Sequence, residues 1–184
     1  MNRIGRLFLT AALGCAISLA AEPAQSVLGQ VMDKDLKSIE GELVPLVEAM
    51  PADKFGFAPT QGEFKKARTF RQQATHIATV LYEVSASVLG EASPAPAGDN
   101  ENGAASIQSK EQVVQYLKDA FAYGHKAMNS ITDKNATELV KSAFGSRQVP
   151  RISMATIATW HSFDHYGQMV IYARMNGIVP PASR

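Results

Sequence analysis

The chain has 184 residues, with 18 Lys+Arg against 17 Asp+Glu, a formal charge of +1. That near-neutral balance, with no Lys/Arg cluster, speaks against a nucleic-acid partner. A single cysteine, Cys15, leaves no disulfide and no Cys-ligated metal centre to expect in the folded part of the chain.

The first two dozen residues differ from the rest. Arg3 and Arg6 precede an apolar run from Leu7 to Ala20 with small residues at Ser18 and Ala20. This is the order of a secretory signal peptide, residues 1–21, with cleavage expected after Ala20 or Ala21. The run is shorter than the ~20 residues a membrane span needs. Leu13-Gly14-Cys15 also resembles a lipoprotein signal, with Cys15 acylated. Losing Arg3 and Arg6 takes Lys+Arg to 16 against 17 acidic residues, a mature charge of −1. A periplasmic or secreted protein of about 160 residues is large enough to be stable through one core.

From there the pattern is helical. Val27, Val31, Leu36, Ile39, Leu43, Leu46 and Val47 recur at three- and four-residue steps, predicting a helix over 27–49 with a kink or early end at Pro45. Residues 52–64 read as a loop whose Phe55 and Phe57 cover one end of the core. A second helix is predicted over 64–89, stopped by Gly90, and 91–106 is a Pro/Gly/Asn-rich loop. Ser109 and Gln112 form a capping box opening a third helix over 110–131. Residues 135–144 read as a minor helix. A last helix over 152–176 ends at Gly177, with Pro180 and Pro181 beyond. The expected architecture is an all-α four-helix bundle over residues 22–184, in up-down-up-down order.

The chemistry-bearing residues are four histidines. His161 and His165 stand four apart in WHSFDHYGQ, so both imidazoles share one helix face. The pair alone leaves metal binding and core packing both open. Ser162 stands where a zincin would carry its glutamate. His76 is the better third ligand, because Gln72, Thr75, Thr79 and Glu83 around it are polar for a core face. His125, beside Gly124 and Lys126, reads as surface or structural. Gln72, Glu83, Gln168 and Tyr172 are candidates for supporting the histidines or touching a substrate, whereas Asp164 lies about 100° around the helix from His165. Trp160 and Phe163 are rotated off the histidine face and are expected in the core.

The order FGFAP (55–59), His76-Ile77, then His161-x3-His165-x-Gly167-Gln168-x3-Tyr172-x-Arg174-x2-Gly177-x2-Pro180 resembles the DinB family of DinB/YfiT-like proteins. The resemblance implies a four-helix bundle carrying a divalent metal on three histidines, which fall here on His76, His161 and His165. Relatives include thiol-dependent transferases and a maleylpyruvate isomerase. Tyr166 departs from that pattern, which often has a basic residue there. Imidazole suits zinc, nickel, copper and iron alike, so ligand type alone does not choose the metal; zinc or nickel is expected first, then iron or manganese. The implied function is a metal-dependent hydrolase or transferase acting on a small molecule, with no membrane span; the alternative is a non-catalytic metal- or ligand-binding bundle. Amphipathic helices are also compatible with a homodimer.

Overall fold

The computed structural model describes residues 26–95 and 102–184; the signal-peptide segment and Cys15 lie outside them. Four long helices dominate: α1 (Val27–Ala49), α2 (Phe70–Leu89), α3 (Lys110–Asn129) and α4 (Arg151–Met175). Among the described residues, no helix is long and apolar enough to cross a membrane.

Each helix boundary has a local cause. Ser26 caps α1, its hydroxyl accepting from Gly29 N at 3.0 Å and donating to the carbonyl of Ile131 at 2.6 Å. Pro45 neither ends the helix nor shortens it. Leu43, Val44, Leu46 and Val47 around it are buried, and that burial outweighs the roughly 3 kcal/mol a proline costs a helix interior.

α2 begins at Phe70, six residues later than the apolar pattern suggests. Thr69 and Gln72 close a reciprocal capping box there. The next two amides go to the preceding loop, Phe70 N to Phe57 O at 2.8 Å and Arg71 N to Phe55 O at 2.9 Å. FGFAP thus supplies the carbonyls that start α2. Phe55 also stacks edge-on against Phe70, and Phe57 against Tyr172. Ser109 and Gln112 cap α3 in the same reciprocal way. At the end of α4, Gly177 has φ +76° and its amide bonds Arg174 O, while Ile178 N bonds Ala173 O. This is a complete Schellman stop.

The segment read as a minor helix is instead a small antiparallel hairpin, β1 (Leu139–Lys141) paired with β2 (Gln148–Pro150), with Val140 opposite Val149. Val140 is buried and Leu139 and Lys141 are exposed, so the segment follows a period of two where three residues are too few to show it. The hairpin's lead-in starts α4, with Arg151 N bonding Glu138 O and Ile152 N bonding Ala136 O, both at 2.9 Å.

The helix directions also differ from the expected order. α1 runs against α3, since Asp33 meets His125 while Glu48 meets Lys118. α2 and α3 run parallel, Arg71 reaching Ile107 and Gln108 at one end and Glu91 meeting Tyr123 and Lys126 at the other. α2 runs against α4, with Arg68 beside Tyr172 and Gln73 beside Gln168. The order is therefore up-down-down-up. The connection from Gly90 to Ser109 has to travel the full length of the bundle, which is why it is long. α2 packs on α3 and α4, and α1 packs on the same two from the opposite corner.

His125 is the clamp of the α1–α3 seam. Its Nδ1 lies 2.7 Å from Asp33 Oδ1 and its Nε2 3.0 Å from Glu40 Oε2. Burial opposes its protonation, but the hydrogen bonds to Glu40 and Asp33 outweigh that and raise its pKa above the ordinary 6.5. It is half-buried and structural.

Two glycines of α1 make opposite predictions. A Cβ on Gly29 would stand 2.7 Å from Ile131 O, whereas one on Gly41 would meet nothing within 4 Å. Gly29→Ala is expected to lower stability by about 1–3 kcal/mol. Gly41→Ala is expected to raise it by about 0.5–1 kcal/mol. Urea denaturation of the two variants checks both signs.

Candidate metal centre

α2 and α4 cross so that His76 faces the His161/His165 pair. His161 Nε2 lies 3.2 Å from His76 Nε2 and 3.1 Å from His165 Nε2. The ligand nitrogens all fall within 4.8 Å of one another. Two imidazole nitrogens held ~2.0–2.1 Å from one ion would be about 3.3–3.4 Å apart at a tetrahedral angle and about 2.9 Å at a right angle. The two separations from His161 lie between those values, so the three side chains are gathered closely enough to share one divalent ion.

Electrostatics point the same way. Burial lowers the pKa of His161 to about 3, with the charges of His165, His76 and Arg68 adding to it. Burial likewise lowers His165 to about 4, helped by His76 and Arg68 and opposed by Asp164. Both rings are therefore neutral at pH 7 and present lone pairs, the form a metal needs. His76 and His165 are only 4% and 8% exposed. His165 Nδ1 is buried with no hydrogen-bond partner among the described residues.

The supporting residues are placed unevenly. Gln168, one turn beyond His165, accepts from Gln73 Nε2 at 2.9 Å and donates to Asp164 Oδ2 at 3.3 Å. Tyr172 is buried and donates its hydroxyl to the carbonyl of Arg68 at 3.2 Å. Gln72 does not reach the histidines: its Oε1 accepts from Thr69 N in the helix cap. Glu83 is not part of the cluster; it lines a second cavity of about 470 Å³ with Ser87, Glu91 and Lys141.

The polar residues around His76 have a local explanation. Thr75 donates to Arg71 O, and Thr79 bonds both Thr75 O and the Tyr116 hydroxyl. Trp160 and Phe163 are not in the core but 56% and 39% exposed. They belong to an α4 face that faces solvent.

Three residues near the centre were not singled out from the sequence. Gln73 shares the face of His76, one turn earlier, and is 3% exposed. Arg68 acts electrostatically on both His161 and His165, a cation from α2's lead-in where Tyr166 offers none. Lys66 has φ +71°, a left-handed conformation uncommon outside glycine. The spacing His76 minus three would have flagged Gln73; the other two lie in a loop, where periodicity is silent. With Gln73, Gln168 and Tyr172 they line a cavity of about 690 Å³.

The lowered histidine pKa values set a pH dependence. A base whose folded pKa lies below its unfolded value stabilises the fold above the unfolded value of about 6.5, and that stability is lost as pH falls toward the folded value. In chelator-treated protein the melting temperature is expected to drop from pH 6.5 to pH 4, and less steeply in His161→Ala. His125 carries the opposite sign, its stabilisation being lost as pH rises through its raised pKa. Melting curves of wild type, His161→Ala and His125→Ala across pH 4–9 separate the two contributions.

Comparison with known proteins agrees with this architecture. A crystal structure of a DinB-like protein from Bacillus cereus ATCC 10987 superposes with a TM-score of 0.66, covering 85% of this chain and 97% of that one at 16% sequence identity. At that identity the likeness carries the fold and nothing finer. No curated protein matches the sequence. The DinB superfamily profile matches residues 36–169, a span that holds all three clustered histidines. The chain belongs to the DinB superfamily.

Proposed function

We propose that this protein is a metal-dependent enzyme, a hydrolase or transferase, that works on a small molecule at an ion held by His76, His161 and His165. The observation that carries this reading is the meeting of three imidazoles from two helices, with His161 Nε2 3.2 Å from His76 Nε2 and 3.1 Å from His165 Nε2, and ligand nitrogens of all three within 4.8 Å of one another. Imidazole suits zinc, nickel and iron, and zinc or nickel is the ion proposed first, ahead of iron or manganese. When bound, such an ion keeps its +2 charge and serves as a Lewis acid toward a carbonyl or toward an oxygen or sulfur nucleophile.

The chain's own residues supply the rest. α2 and α4 fix the imidazoles, and their burial keeps water and protons from competing for the nitrogens. Three protein ligands leave room for a substrate atom, where a storage site would close the shell. The cavity beginning one turn away, at Gln73 and Gln168, gives a small molecule a place beside the ion. That cavity favours turnover over a purely metal-holding role. We further propose export of the mature chain, on the pattern of residues 1–21.

Metal content by elemental analysis tests the assignment. Wild type is expected to carry about one transition-metal ion per chain after loading and desalting. His76→Ala and His161→Ala are expected to lose it, and His125→Ala to retain it. Retention by His76→Ala, or equal loss by His125→Ala, would overturn the ligand set.

A further inference from the structure

The outward face of α4 carries side chains that a core would bury. At 3.6 residues per turn, Gly167 and Ile171 lie within about 20° of Trp160 around the helix, and Phe163, Asp164, Arg174 and Met175 within about 60°. Met169 lies on the opposite, buried side. Among the described residues, Trp160, Phe163, Ile171 and Met175 are left between 39% and 56% exposed. Four such side chains, each about half exposed, offer on the order of 400 Å² of apolar surface. A patch of that size marks an interaction site on a single domain.

Gly167 sits in the middle of this stripe. Glycine weakens a helix interior, and a Cβ there would meet nothing within 4 Å, so packing inside the described chain does not call for it. A backbone bare of side chain lets a second helix come close. The charges on the face are one acid, Asp164, and one base, Arg174, both exposed and in contact with Gln168 and Ser183 of their own chain. A twofold axis at Gly167 would set two copies of α4 antiparallel, so that residues equally far before and after it come level. Phe163 then stands level with the partner's Ile171, and Trp160 with the partner's Arg174, a cation for its indole face. The same guanidinium falls about one turn from Asp164. The face thus complements itself, apolar against apolar and base against ring and acid, which singles out a second copy as its occupant.

We propose that the protein forms a twofold dimer through α4, with Gly167 at the axis. The apolar stripe supplies about half of the ~800 Å² per partner that a stable interface buries, and Thr156, Asp164, Gln168 and Arg174 around it make the polar rim. The ring of Trp160 lies 6.1 Å from that of His161, and Ile171 and Met175 also line the cavity beside the histidines. The seam between copies therefore runs alongside both histidine clusters.

Sedimentation equilibrium of the purified protein, zinc-loaded and chelator-treated, tests it. Wild type is expected to be a dimer at about 10 µM in both states. Trp160→Ser and Ile171→Glu are expected to weaken association about tenfold or more, while Leu139→Ser, an exposed site on the hairpin, leaves it unchanged. Melting curves establish that each variant is folded. Trp160 is the chain's only tryptophan, so its emission is expected to move to shorter wavelength as the dimer forms, and to stay long in Ile171→Glu. In a Cys15→Ser background, Gly167→Cys is expected to form an intermolecular disulfide on oxidation, and Thr156→Cys, about 16 Å along the helix from the axis, is not. A wild type that stays monomeric at about 100 µM would overturn the proposal. So would a dimer that both face variants leave intact, which would place the interface elsewhere. Short-wavelength Trp160 emission that does not change with concentration would mean that the chain itself covers the face, and would overturn it as well. Cross-linking through Thr156→Cys and not through Gly167→Cys would overturn the axis.

Discussion

Everything functional in this molecule depends on three imidazole nitrogens being forced together where α2 crosses α4. Left to themselves, three neutral rings can share only N–H···N hydrogen bonds whose direction depends on the tautomer, and burial strips them of the water that would otherwise satisfy the rest. The fold nonetheless holds His76 and His165 at 3.2 and 3.1 Å from His161, which requires the rest of the bundle to outweigh that cost. An ion would take one lone pair from each ring and so satisfy all three at once. The pKa values lowered to about 3 and 4 are the protonation side of the same arrangement, since a site that disfavours protons keeps its nitrogens available to a metal.

The helix order explains why the centre lies where it does. Because α2 and α4 are antiparallel, positions ascending along one meet positions descending along the other. Arg68 meets Tyr172, Gln73 meets Gln168, and His76 meets His165 and His161. The charged loop, the amide relay and the histidines are thus successive levels of one seam. The parallel α2–α3 pair brings the long connection back to the same end, where Asn102 secures Arg68. A topology with only short connections would not have placed that residue there.

Much of this was legible in the sequence, for reasons that can be named. α1 spans 27–49 as its apolar spacing predicts, because the five buried aliphatic residues at that spacing, Leu36, Ile39, Leu43, Leu46 and Val47, overrule one proline. The Ser109 capping box and the Gly177 stop rest on local stereochemistry that needs no tertiary information. His161 and His165 declare themselves by a spacing of four. His76 was reached partly by the wrong signal: Thr75 and Thr79 bond backbone carbonyls and Tyr116, and say nothing of a metal. What periodicity could not show was whatever depends on how elements pair. The hairpin at 139–150 is too short for alternation to register, and helix direction is set by the connections. Trp160 and Phe163 look like core residues until the bundle is assembled and, among the described residues, leaves both of them exposed on α4.

The central claim is a shared coordination sphere, and X-ray absorption spectroscopy of the zinc-loaded protein observes it directly. The account predicts a first shell with three imidazole nitrogens at ~2.0–2.1 Å from the ion, reduced to two in His76→Ala. A shell with one imidazole or none, or one unchanged in His76→Ala, would contradict it.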